Sequence, residues 1–101
     1  MDPGDLILVH LTQPSEKFWG ILERLDGVGV VLRGLNVESF DDWMAQAASD
    51  EAPMLGLVSM FAPLSRVERI FRDEPVGPVA SYAQRFEQRV GCSVEAFLAE
   101  L

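Results

Sequence analysis

The side chains able to do chemistry are few and scattered. His10 is the only histidine and Cys92 the only cysteine. A zinc site gathers several such ligands at tight spacing, so no metal and no cofactor is expected. A serine or Cys92 nucleophile would need a base beside it. His10 lies at the other end of the chain, and Cys92, following Gly91, reads as a small residue between two helices. Asp41 and Asp42 are adjacent carboxylates, but neighbours on a helix point about 100° apart and do not form an acid/base pair. Gly27-x-Gly29 lacks the helix opening and the lysine of a phosphate-cradling loop. No catalytic site is expected, and the chain is read as a non-enzyme.

The remaining candidates concern binding. Phe18 and Trp19 are adjacent in a strand pattern, so they face opposite sides, and one leaves the core unless another element or a second subunit covers it. With Arg33 they outline a candidate ligand or peptide site. Arg66, Arg69 and Arg72 recur at every third position with Glu68 between them. Such mixed signs read first as a salt-bridged strand end and second as an anion-binding edge. Leu57 and Val58 lie in an apolar stretch with no lysine to blunt it.

Elements must position these residues. Asp5 to Thr12 reads as a strand, with Leu6, Leu8 and His10 on one face and Ile7, Val9 and Leu11 on the other. Gln13-Pro14-Ser15-Glu16 is a turn. A second strand runs from about Lys17 to Leu25, with Gly20 marking a bend or close approach. Asp26-Gly27 predicts a type I′ hairpin into a third strand, Val28 to Leu35. An inserted helix follows over about 39–49, where Phe40, Trp43, Met44 and Ala47 form one apolar face. Asp50-Glu51-Ala52-Pro53 ends it. A fourth strand is predicted over Met54 to Phe61 and a fifth near Arg66 to Arg72. After a proline-rich linker the chain turns helical over about 79–101. Ser81 with Gln84 forms a capping box, Gly91 closes that helix, and Ser93 starts a last one.

The length of 101 residues suits a single domain. Sixteen acidic residues against eight basic ones give a net charge of −8, which repels nucleic-acid backbones and anionic lipid at long range. The longest apolar runs are too short to cross a bilayer. The acidic start, Met1-Asp2-Pro3-Gly4-Asp5, is unlike a secretory leader, and a lone cysteine fits a reducing compartment. A cytoplasmic location away from membranes is expected.

The run Gly20-Ile21-Leu22-Glu23-Arg24-Leu25-Asp26, followed by Gly27 to Leu32, resembles the first motif of Sm proteins, most of all the bacterial Hfq-type branch. Leu64 to Ile70 is similar in pattern to the end of that barrel. The resemblance covers roughly residues 5–72. It implies a small five-stranded Sm-like or SH3-like β-barrel, α+β once the inserted and C-terminal helices are added. The Lys-His pair of the Hfq-type pattern is replaced by Phe61-Ala62-Pro63, and Val28 and Gly29 stand where the other branches carry asparagine. No RNA-binding residue carries over. The expected role is a non-catalytic interaction or assembly module, self-associating through strand edges. An RNA-binding Sm-like protein is the alternative, with a small-molecule or peptide binder third. Phe18, Trp19, Arg33, Leu57, Val58, Arg66 and Arg69 are the candidate interface or ligand residues.

Overall fold

A computed structural model describes residues 1–49 and 56–100. The first of two compact units holds five strands, β1 (Leu6–Leu11), β2 (Glu16–Leu25), β3 (Gly29–Asn36), β4 (Val58–Pro63) and β5 (Val67–Arg72). They pair antiparallel in the order β4-β3-β2-β1-β5. Period-two alternation sends Ile7, Val9 and Leu11 to one face. There they pack with Leu22, Val30, Leu32 and Ala62, and Phe18, Met60, Val67 and Ile70 close around them.

The sheet is open, which corrects the Sm-like or SH3-like barrel. Among the described residues β4 pairs only with β3, and β5 only with β1. The two strands are opposite edges of one sheet. The residues that suggested a barrel have local duties instead. Gly20 and Gly34 are register partners on β2 and β3. A Cβ on Gly34 would come within 2.0 Å of the Trp19 carbonyl oxygen, and one on Gly20 within 2.5 Å of the Arg33 carbonyl oxygen. The pair therefore permits a close backbone approach, which needs no closure of the sheet.

The Asp26-Gly27 hairpin is where expected, but its turn is of another kind. Gly27 is not among the residues with positive φ, so the type I′ geometry is absent. The Asp26 carboxylate instead accepts from the Val28 and Gly29 N–H groups at 2.9 and 3.3 Å. The Asp26 N–H donates to the Gly29 carbonyl at 3.1 Å. A side-chain acceptor does the work that positive φ was expected to do.

β4 begins later than predicted, and the expected start at Met54 lies outside the described residues, as do the helix stop at 50–53 and Leu101. β5 begins at Val67, because Leu64–Arg66 forms a single 3-10 turn.

The second unit gathers the inserted helix with the C-terminal helices. These are α1 (Phe40–Ala47), α2 (Tyr82–Val90) and α3 (Val94–Ala99). The apolar stripe of α1 is buried at Phe40, Trp43 and Met44. Trp43 stacks on Phe86, with ring centroids 4.9 Å apart, and Phe97 meets both rings edge-on. The predicted capping box is present, the Gln84 N–H donating to Ser81 Oγ and the Ser81 N–H to Gln84 Oε1. Gly91 ends α2 at φ 93°. One contact was not legible in the sequence. The Asp73 carboxylate accepts from the Tyr82 and Ala83 N–H groups, both at 2.8 Å. It thereby satisfies two orphan donors at the positive end of α2.

Candidate functional site

The outward side of β4, which pairs with no second strand among the described residues, stands out in the first unit. Its sequence, Val-Ser-Met-Phe-Ala-Pro, carries no charge. Val58 is 58% exposed and Phe61 50% exposed, which is unusual for large apolar side chains on a strand. The Phe61 ring lies over Gly29, where a Cβ would sit within 2.6 Å of it. Val28, 71% exposed, accepts at its carbonyl from the Leu64 N–H at 3.1 Å. Val28, Phe61 and Leu64 are thus all exposed apolar residues at the hairpin end of the edge.

That last bond also fixes which backbone groups are available. In an antiparallel pair, residues alternate between facing the partner and facing away. The Leu64 N–H points toward β3, and the register runs from Gly29↔Pro63 to Gly34↔Val58 without a shift. Ala62, Met60 and Val58 therefore face β3. Phe61 and Ser59 turn their N–H and C=O groups outward, and Pro63, also outward, has no N–H. The other edge is different. β5 reads Val-Glu-Arg-Ile-Phe-Arg, with exposed charge along its length.

The other predicted site residues fall as follows. Trp19 is fully buried and offers no face to a ligand, while Phe18 is half-buried against the opposite face, packed on the core. Arg33 is exposed on β3 opposite Ser59, with no ion-pair partner among the described residues. The Ser59 hydroxyl reaches Glu23 Oε1 at 3.5 Å. Arg66 is committed to the β1–β2 turn, donating to the Thr12 and Pro14 carbonyls at 3.1 and 3.0 Å and to Glu16 at 2.9 Å. Arg69 pairs with Glu68 at 2.8 Å, and Arg72 with Asp5 at 3.5 Å. The structure thus brings Leu57, Val58 and Arg33 near one edge and leaves Phe18, Trp19, Arg66 and Arg69 away from it. Sequence reading counted Phe61 in the apolar fourth strand and Ser59 as adding little protection to it, but named neither as a site residue. The signal that could have found them is the uncharged run ending in proline.

Among the described residues, three groups titrate away from their ordinary values. Burial holds His10 below the usual histidine range, reinforced by Lys17 and Arg69, its register partners on the two neighbouring strands. Its ring meets Phe71 edge-on at 4.9 Å. The Val28 and Gly29 N–H groups hold the Asp26 carboxyl below its usual range. The Asp2 N–H does the same for Asp5, helped by Arg72.

Two surface grooves are lined by polar side chains. One, of 520 Å³ in the second unit, is lined by Asp41, Met44, Arg85, Gln88 and Arg89. Its Arg85 pairs with Asp41 and stacks on Phe40 and Tyr82. The other, of 350 Å³ in the first unit, lies around Lys17, Asn36 and Glu38. Among the described residues no group of three or more His, Cys, Asp or Glu could hold a metal ion. No helix there is long and apolar enough to cross a membrane.

No family model, curated protein or solved structure matches this chain. The Sm-like resemblance thus has support neither from the comparisons nor from the open sheet.

Proposed function

We propose that this domain is a non-catalytic assembly module that associates with itself through the outward side of β4. The observation that carries the reading is the contrast between the two sheet edges. Edge strands are ordinarily blunted by charge, proline or a bulge. β5 has Glu68, Arg69 and Arg72, whereas β4 has only Pro63 at its end and exposes Val58 and Phe61. A strand added there gains hydrogen bonds from Ser59 and Phe61 and covers both apolar side chains. Nucleic acid is a poorer partner. The chain carries −8, and Arg24, Arg66, Arg69, Arg72 and Arg85 each pair with a carboxylate.

Proline at position 59 tests this reading. The Ser59 N–H faces away from β3, so Ser59→Pro removes a donor from the free edge and spares the ladder within the chain. Val58→Pro would instead remove a donor to β3 and attack the fold. On gel filtration with light scattering, the wild type should run as a multiple of the 11.2 kDa chain. Ser59→Pro should run as a single chain with an unchanged far-ultraviolet dichroism spectrum. A Ser59→Pro protein that keeps the wild-type assembly would overturn the reading.

A further inference from the structure

Resting on that self-association, we infer that the partner strand is β4 of a second copy, paired antiparallel across a two-fold axis at Ser59. Strand direction favours this over a β4–β5 contact. β1 is antiparallel to both β2 and β5, and the meander alternates from there, so β4 and β5 run the same way. Repeating the open sheet side by side with its faces aligned would set β4 parallel to the next copy's β5, the less stable pairing. A two-fold axis normal to the sheet sets β4 against β4 antiparallel, faces aligned, and closes the assembly at two copies.

The register follows from the backbone. Centring on Ser59 places it opposite its own copy and sets Leu57 opposite Phe61. Ser59 and Phe61 carry outward N–H groups, and Pro63, which has none, falls beyond the paired stretch. The same register sets Val58 opposite Met60. Both of the strand's most exposed apolar side chains, Val58 and Phe61, thus gain an apolar cross-strand neighbour. The axis itself meets only the small Ser59 side chain. Centring on Phe61 would place Ser59 opposite Pro63 and lose a hydrogen bond.

Directed disulfide formation tests the geometry. A hydrogen-bonded antiparallel pair has Cα atoms about 5.5 Å apart, inside the roughly 4.4–6.8 Å that a disulfide spans. In a Cys92→Ser background, Ser59→Cys alone should convert most of the protein to a reducible dimer under mild oxidation. Arg33→Cys, one strand in from the edge, lies about 14 Å from its own copy at ordinary strand spacing and should remain unlinked. If the protein assembles but Ser59→Cys links only when mixed with Phe71→Cys, the two-fold inference is overturned while association through β4 stands. If the wild type is a single chain in solution, the reading beneath it fails as well.

Discussion

Gly20 and Gly34 face each other with no room for a side chain, and the obstructing atoms are backbone. Gly34→Ala should therefore destabilise the protein by about 1–3 kcal/mol, the usual cost of overpacking, as read by urea denaturation. Gly27→Ala should behave differently. Nothing lies within 4 Å of its Cβ position and its φ is not positive, so the effect should stay within about 0.5 kcal/mol. A type I′ turn would make that substitution costly, so the measurement distinguishes the two turn chemistries.

The titrations belong to the same scale. Asp26 has its folded pKa depressed by two N–H donors. Its contribution is present above the unfolded value, about 3.9, and is lost as pH falls through the lower folded value. Asp26→Asn keeps an acceptor oxygen but no titration, so it should flatten the acid limb of the stability curve. His10 follows the same sign because its folded pKa is also lowered. Stability falls as pH drops below about 6.5 and the unfolded chain takes up the proton. Its midpoint by NMR titration should lie below that value and rise in Lys17→Gln. An unchanged midpoint in that variant would remove Lys17 from the explanation.

Among the elements, α2 depends on more than its own sequence. Ser81 and Gln84 form its capping box, and Asp73, in the preceding linker, holds the next two N–H groups. Asp73→Ala should cost about 1–2 kcal/mol and speed amide exchange at Tyr82 and Ala83. Equal exchange in the two proteins would show that water replaces the carboxylate without loss. The capping box was legible because its partners are three residues apart. Asp73 was not, because nothing local marks a carboxylate nine positions away as a cap. The same reason explains the strands. β1, β2 and β3 follow from alternation and hairpin spacing, which are local. Whether β4 and β5 meet is decided by long-range pairing, and a bent-strand glycine is equally at home in a barrel or an open sheet. The β4 edge was half legible: Met54, Leu57, Val58, Met60 and Phe61 were marked by apolarity and missing lysine, but the backbone alternation that turns Ser59 and Phe61 outward requires the register.

At the scale of the whole molecule, the net charge of −8 opposes the approach of two copies, while the contact strand itself is uncharged. Salt screens the former and leaves the latter intact. Assembly should therefore strengthen between low and physiological ionic strength, the opposite of a nucleic-acid complex, which weakens with salt. The most direct measurement is the mass of the wild-type protein by sedimentation equilibrium across micromolar concentrations at physiological salt. A two-fold β4 pair predicts a concentration-dependent mass that levels at twice the 11.2 kDa chain. A mass that stays at one chain throughout would contradict it.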